Sequence, residues 1–153
     1  MIVRAYRITK RAHAKTIWSG NGARDYGGRW NSKGVAVAYA AESRSLAALE
    51  QLIHLVKPRV LRGYVLSTIM FDDGRLGRID INGLPANWRD PVAPRALRQY
   101  GDDWVAAGVF PVLAVPSAVT LGEWNFLINP AHPEFEALQK SAAEDFIYDN
   151  RLG

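Results

Sequence analysis

The stretch from Gly27 to Glu50 constrains this chain more than any other segment, because it can bring three kinds of functional group into one pocket. It begins with Arg29 beside glycines, continues as a short β-like segment that ends at Tyr39, and enters a helix that carries Glu50. Glycine lets backbone approach a ligand closely, and the planar fork of arginine suits a carboxylate or a pyrophosphate. We therefore expect a pocket that combines a fixed cation, an aromatic ring and a carboxylate.

Arg29 also has a purely structural interpretation. The preceding residues, 19–28, are rich in glycine, asparagine and aspartate and are predicted to form a loop. Loops often carry function, which favours ligand binding by Arg29. The alternative is a plain turn in which Arg29 stacks on Trp30, and the residues alone leave both interpretations open.

The helix that carries Glu50 is predicted to begin at an N-cap, Ser43 or Ser45, and to run to about residue 56, before Pro58. Its buried stripe is predicted to consist of apolar side chains at helical spacing: Leu46, Leu49, Leu52, Ile53 and Val56. Glu50 lies at the edge of this stripe, where a carboxylate is partly desolvated. A structural salt bridge to an arginine is the ordinary explanation for such a glutamate, and a functional carboxylate is the alternative. His54, one turn later, is expected to have a structural role.

Apolar periodicity outlines the other elements. Strands are predicted over residues 2–8, 35–39, 59–71, 110–115, 123–129 and 146–148, with a loop over 75–94, a helix over 96–107 that is interrupted at Gly101, and a short helix after Pro133. Arg7, near the end of the first strand, is expected to be a solvated edge residue, since arginine prefers the surface. Tyr39 either belongs to the core or presents its ring to a flat ligand.

Ser117 directly follows the predicted strand over 110–115. Its neighbours, Pro116 and Ala118, do not form the GxSxG elbow of a serine hydrolase, so no serine nucleophile is expected. Ser117 is instead expected to donate a hydrogen bond, either to a ligand or to Glu50.

Composition narrows the classes of function. A chain of 153 residues is expected to make one domain, residues 1–153. It has no cysteine and only three scattered histidines, so neither a disulfide nor a metal site is expected. No apolar run approaches the ~18 residues of a membrane span, and no signal peptide is evident, so a cytoplasmic location without membrane contact is expected. The net charge of +4 is dispersed, which weakens nucleic-acid binding as an explanation and leaves a phosphate-bearing ligand open.

Several segments, in collinear order, resemble the RES domain family, the toxins of bacterial toxin–antitoxin pairs. Each segment is weak by itself, but the set is specific and covers nearly the whole chain. The matching segments are Tyr6-Arg7, GRWNSKG at 28–34, Tyr39-Ala40-Ala41, LAALE ending at Glu50, Trp104, VPSAV at 115–119, NFLINPAHPEF at 125–135 and the FIYDNRL tail.

The resemblance implies an α+β fold similar to that of ADP-ribosyltransferases: a single domain with a mixed, split β core and surrounding helices. It also implies degradation of NAD⁺ by cleavage of the nicotinamide–ribose bond, as a glycohydrolase or a phosphorylase. The alternative is a protein ADP-ribosyltransferase that uses NAD⁺ as donor. NAD⁺ would be a consumed substrate rather than a cofactor, which fits the absence of a GxGxxG motif after the first strand. A non-catalytic nucleic-acid-binding module is the third hypothesis.

The residues that give the family its name correspond to Arg29, Glu50 and Ser117, which are the implied catalytic residues. Glu50 would stabilise an oxocarbenium-like ribose or hold a ribose hydroxyl. Arg7 and Arg29 would bind phosphate oxygens, Tyr39 would pack against nicotinamide or ribose, and Ser117 would hydrogen-bond the ribose or Glu50.

The resemblance further implies a protein partner: a cognate Xre-type helix-turn-helix antitoxin whose C-terminal region blocks the pocket. Direct nucleic-acid contact is expected only through that antitoxin. Whether a homodimer forms within the complex, and which acceptor receives the ribose, are left open by the sequence.

Overall fold

The computed structural model describes all residues from 1 to 153. The strands are β1 (Ile2–Lys10), β2 (Ala38–Ala41), β3 (Tyr64–Asp72), β4 (Leu76–Arg78), β5 (Val112–Pro116), β6 (Trp124–Ile128), β7 (Gln139–Lys140) and β8 (Glu144–Phe146). The α-helices are α1 (Asn21–Tyr26), α2 (Arg44–Leu52) and α3 (Arg95–Ala107). Short 3₁₀ turns span Arg11–Thr16, Asp73–Arg75, Ile81–Gly83, Phe135–Ala137 and Asn150–Leu152.

All strands join one mixed sheet that nearly divides in the middle. Its order is β4-β5-β6-β2-β1-β3-β7, and β8 also pairs with β3. Only β4 and β5 run parallel. β1 and β3 pair along their full length, whereas β1 and β2 are paired only at Tyr6 and Ala41. The predicted α+β fold with a mixed, split β core is confirmed.

Helix α2 covers the sheet beside this division. Of the two N-cap residues predicted, Ser43 is the cap and Ser45 is not, since the Ser43 side chain accepts a hydrogen bond from the backbone N–H of Leu46. The helix ends at Leu52 rather than near residue 56. Leu46 and Leu52 are buried as predicted, but the other three members of the predicted stripe are exposed: Leu49, Ile53 and Val56.

The predicted apolar stripe was wrong because the face of α2 that packs on the sheet is rotated by about one residue from the predicted face. Leu46 and the adjacent Ala47 are buried, and Glu50 follows them one turn later on the same face. Glu50 therefore points toward the sheet and the cavity described below. The sequence pattern could not show this, because it does not reveal which strands lie beneath the helix.

Five other predicted elements differ in detail. The loop predicted over 75–94 contains β4, because residues 76–78 pair with β5. The last strand, predicted over 146–148, is β8 at Glu144–Phe146, where the chain pairs with β3. Residues 19–28 are not all loop, since Asn21–Tyr26 forms α1. The strand predicted over 35–39 begins only at Ala38, because the preceding residues take part in turns around Asn31. The strand predicted from residue 59 begins at Tyr64, directly after Gly63 with its positive φ of 81°. The longest helix, α3, has 13 residues. None of the helices has the length and apolar character that a membrane span requires.

Gly101 does not interrupt α3, contrary to prediction. The helix is continuous from Arg95 to Ala107. Gly101 is instead the point of closest approach to the loop that carries Arg29, because a Cβ atom here would overlap the carbonyl oxygen of Trp30. The next residue, Asp102, accepts a hydrogen bond from the backbone N–H of Ser32 at 2.9 Å. Helix α3 thus holds residues 28–34 in place.

Substituting Gly101→Ala should destabilise the protein by at least about 2 kcal/mol, because the new methyl group forces α3 away from Trp30. Urea unfolding at neutral pH would measure this change. Gly83→Ala is the matched control, since a Cβ there meets nothing within 4 Å, and its unfolding midpoint should stay within experimental error. Equal midpoints for both variants would contradict this account of the contact between α3 and the loop.

Candidate active site

A cavity of about 460 Å³ lies where β1 and β2 separate, within the size range of small-molecule sites. Helix α2, the loop at residues 27–30, Pro91 and Ala93 form other parts of its walls. Four of the five residues singled out from the sequence line it: Arg7, Arg29, Tyr39 and Glu50. The fifth, Ser117, is fully buried and lies behind Glu50. Fold topology thus brings together residues that are more than 100 positions apart in the chain.

The carboxylate of Glu50 is held at one oxygen only. Oε1 accepts hydrogen bonds from Ser117 Oγ at 2.9 Å and from Asn125 Nδ2 at 2.8 Å. Oε2 accepts no hydrogen bond from the protein, and Glu50 forms no salt bridge. The ordinary structural explanation, an ion pair with arginine, is therefore wrong for this glutamate.

All hydrogen bonds that the Ser117 hydroxyl can form are made within the protein. Its hydroxyl donates to Glu50 and accepts from the backbone N–H groups of Val119 and Thr120, at 3.1 and 3.0 Å. A hydroxyl offers one donor and two acceptor sites, so none remains for a ligand. Of the two contacts expected for Ser117, the structure contains the one to Glu50.

Arg7 is half-buried and lines the cavity, although the residue preference of arginine suggested a solvated edge position. Its Nε donates to the Ile17 carbonyl at 2.7 Å, and its Nη1 donates to the Tyr39 carbonyl at 3.0 Å. No carboxylate pairs with Arg7, and burial lowers the pKa of its guanidinium. The gap between β1 and β2 admits the side chain, and its remaining N–H groups are suited to an anion.

Arg29 is anchored by backbone carbonyls. Nη1 donates to Trp88 at 3.0 Å and Nη2 to Pro91 at 3.3 Å. Partial burial lowers the pKa of Arg29, and the negative charge of Glu50 opposes that effect. The alternative interpretation, stacking on Trp30, is wrong, because Trp30 is buried and packs edge-on against Tyr100.

The hydroxyl of Tyr39 locks the loop that carries Arg29. It donates to Asn31 Oδ1 at 2.6 Å and accepts from the backbone N–H of Trp30 at 3.0 Å. Burial raises the pKa of this hydroxyl well above its ordinary value. A Cβ atom on Gly28 would lie only 2.6 Å from the Tyr39 hydroxyl, so the network requires glycine there. Tyr39 lines the cavity, while its hydroxyl forms hydrogen bonds with the loop.

Four further residues belong to this site; the sequence left open whether Tyr6 and His54 reach it and did not indicate either asparagine. Asn125 and the fully buried Asn31 organise hydrogen bonds, while Tyr6 and His54 line the cavity. His54 was expected to be structural, yet it lies on the wall and hydrogen-bonds to no protein group through its ring. Both asparagines lie in segments that carry the family resemblance, but a lone asparagine has no spacing signal that would reveal its partner.

Comparison with known proteins finds similarity over nearly the whole chain. The sequence model of the RES domain matches residues 4–149. The protein is 37% identical over 148 residues to Toxin Res of Yersinia enterocolitica, with 96% of this chain and 97% of that protein covered. It is 34% identical over 148 residues to Toxin Res of Photorhabdus laumondii, with coverage of 96% and 95%. It is 36% identical over 137 residues to the Prs ADP-ribosylating toxin of a Sphingobium strain, with coverage of 88% and 85%.

Among solved structures, the chain is similar to one from the MbcT–MbcA toxin–antitoxin complex of M. tuberculosis. The TM-score is 0.75, and the match covers 96% of this chain and 85% of that one. Sequence identity is 23%, so this likeness concerns the fold.

Substituting Tyr39→Phe should destabilise the protein by about 1–3 kcal/mol at pH 8, because it leaves Trp30 N–H and Asn31 Oδ1 without their partner. The difference should shrink at higher pH. The raised pKa of Tyr39 means that its stabilisation is complete below pH ~10, where unfolded tyrosine begins to ionise, and is lost above it by up to about 1.4 kcal/mol per pH unit.

Urea unfolding from pH 8 to 11 would measure both effects. Tyr100→Phe is the matched control, since that hydroxyl bonds the Gly83 carbonyl at the surface and its loss should leave the wild-type pH slope intact. An identical slope for wild type and Tyr39→Phe would contradict the buried, protonated state of Tyr39.

Proposed function

This protein belongs to the RES domain family, and from that premise we propose that it is a toxin that degrades NAD⁺ by cleaving the bond between nicotinamide and ribose. One observation carries the proposal: Glu50 stands at the wall of the cavity with no cation paired to it and with Oε2 free. A carboxylate oxygen that faces a cavity and accepts no hydrogen bond from the protein is available to a ligand.

The chemistry requires such a carboxylate. When the C1′–N1 bond breaks, its electron pair stays with nicotinamide, which leaves neutral, and positive charge develops on the ribose. Oε2 of Glu50 would stabilise that charge directly or hold a ribose hydroxyl. The acceptor oxygen then bonds to C1′, and an acceptor that carries a proton releases it to solvent.

Arg7 and Arg29 would bind the phosphate side of the substrate. Both guanidiniums line the cavity and are oriented by backbone carbonyls rather than by carboxylates. Their positive charge is therefore not neutralised, which is what recognition of a pyrophosphate needs. The ring of Tyr39 would pack against nicotinamide or ribose.

Water as acceptor makes the protein a glycohydrolase, and phosphate makes it a phosphorylase. The second candidate function is protein ADP-ribosylation, with a protein side chain as acceptor. The name of the Sphingobium relative, an ADP-ribosylating toxin, favours it. Both functions use the same cavity and the same role for Glu50.

We further propose that an Xre-type antitoxin covers the mouth of the cavity. Three exposed apolar side chains line the cavity or adjoin lining residues: Tyr26, Ile53 and Val92. An apolar segment with acidic residues would complement this rim, which is next to Arg29. The similarity to the fold of a chain in a toxin–antitoxin complex supports this assignment.

Glu50→Gln should reduce the rate of nicotinamide release on the order of a hundredfold or more, because glutamine keeps the shape and removes the charge. Purified, antitoxin-free protein would be incubated with NAD⁺, and nicotinamide would be quantified by chromatography. Glu136→Gln, an exposed glutamate outside the cavity, is the matched control and should keep the wild-type rate. Equal rates for wild type and Glu50→Gln would contradict the proposed role of the Glu50 carboxylate.

The products of the same assay identify the acceptor. ADP-ribose indicates water, a 1-phosphorylated ADP-ribose indicates phosphate, and a protein adduct seen by mass spectrometry indicates a transferase. If NAD⁺ stays intact with folded protein, even with phosphate and cell extract present, the enzyme proposal fails. Salt-dependent binding to DNA or RNA would then support the nucleic-acid-binding hypothesis.

Val92→Asp should weaken binding to the cognate antitoxin by at least about tenfold, since it places a negative charge where an acidic, apolar segment docks. Isothermal calorimetry with the purified partner would measure the affinity. The control is Val109→Asp, because Val109 is an exposed valine that neither lines the cavity nor adjoins a lining residue; this variant should bind as tightly as wild type. Unchanged affinity for Val92→Asp would place the antitoxin elsewhere on the surface.

A further inference from the structure

We propose that Asn125 is a positioning residue for Glu50, which it holds by Oε1 so that Oε2 is presented to the reacting ribose. This inference rests on the proposed function. Asn125 is not one of the arginine, glutamate and serine residues that give the family its name. The sequence patterns did not distinguish it from its neighbours.

The contacts of the carboxylate define the role. Asn125 Nδ2 and Ser117 Oγ converge on the same oxygen, at 2.8 and 2.9 Å. A carboxylate only accepts hydrogen bonds, so the amide nitrogen of Asn125, and not its oxygen, must face Glu50. Two donors on Oε1 fix the rotation of the carboxylate about its last bond and leave Oε2 for the substrate.

The backbone makes Asn125 a rigid support. It lies within β6, where it is opposite Ala41 of β2 on one side and Val115 of β5 on the other. Ser117 follows β5 directly and bonds through its backbone N–H to Glu123. Glu50, on a short helix, is therefore tied to two adjacent strands of the sheet. Asn125 also lines the cavity, whereas Ser117 does not.

Neutral donors suit the proposed reaction better than charged ones. An arginine or lysine at position 125 would pair with Glu50 and offset the negative charge that must act on the ribose. Asparagine and serine orient the carboxylate without carrying a compensating charge. The same geometry explains why Glu50 has no salt bridge although the chain is rich in arginine.

The other end of the Asn125 amide argues against a purely structural role. Oδ1 is buried and has no hydrogen-bond partner in the protein. Buried amide oxygens are normally paired, so an asparagine placed to stabilise the sheet would use both ends. Here only the end that faces Glu50 is used. Replacing Asn125 removes an unpaired oxygen together with the hydrogen bond, and the fold should lose little.

Steady-state kinetics of nicotinamide release, combined with thermal unfolding, test the role. Asn125→Ala should lower kcat on the order of tenfold to a hundredfold, which is the usual effect of losing a hydrogen bond that supports a functional group. KM should stay within about twofold of the wild-type value, and Tm should be unchanged or higher. Asn125→Asp places a second carboxylate against Glu50, so the acid limb of its pH–rate profile should move to higher pH. A purely structural role would lower Tm and move neither kcat per folded molecule nor the pH profile.

Asn129→Ala is the matched control. Asn129 directly follows β6, is buried outside the cavity lining, and bonds only the Ala131 backbone through its side chain, at 3.0 Å. This variant should lose stability and keep the wild-type kcat. If wild type releases nicotinamide and Asn125→Ala does so equally fast, the role of Asn125 is overturned and the proposed function stands. If wild type itself releases no nicotinamide, the proposed function and the role of Asn125 are both overturned.

Discussion

Strands β1 and β2 are adjacent in the sheet but paired only at Tyr6 and Ala41, and the cavity lies where they separate. A continuous ladder at this place would leave no room for a buried side chain between the strands. The gap instead admits Arg7, whose guanidinium bridges it by donating to the Tyr39 carbonyl. The division of the sheet therefore creates the cavity and places a half-buried cation beside it.

Two systems of hydrogen bonds make this cavity rigid. On one side, Tyr39, Asn31 and the backbone of Trp30 lock the loop that presents Arg29, and α3 supports that loop through Gly101 and Asp102. On the other side, two neutral donors hold one oxygen of Glu50. Charged groups are thus oriented by neutral partners throughout, so their charges remain available to a ligand. Such local departures from ordinary pairing are typical of functional sites.

Much of the scaffold followed from local patterns in the sequence. Most strands lie within a few residues of where alternation predicted them, and Ser43, one of the two predicted N-cap residues, caps α2. The failures have a common cause. Leu49, Ile53 and Val56 have helical spacing, yet which face of a short helix is buried depends on the strands beneath it. Gly101 has a low helix propensity, yet α3 continues through it. The tertiary contact with Trp30 requires glycine here and outweighs that weak local preference.

The amino-acid sequence by itself determined the elements, the family and the identity of most cavity residues, because these depend on local propensity and on motifs in collinear order. Only the tertiary structure decided how those residues are used. The position of Arg7 at the cavity depends on the gap between two strands. The engagement of Ser117 and Asn125 with a single oxygen depends on β5, β6 and α2 meeting at one point. Hydrogen bonds between residues 67 to 75 positions apart leave no periodic signal in the chain, since their geometry arises only when the sheet assembles.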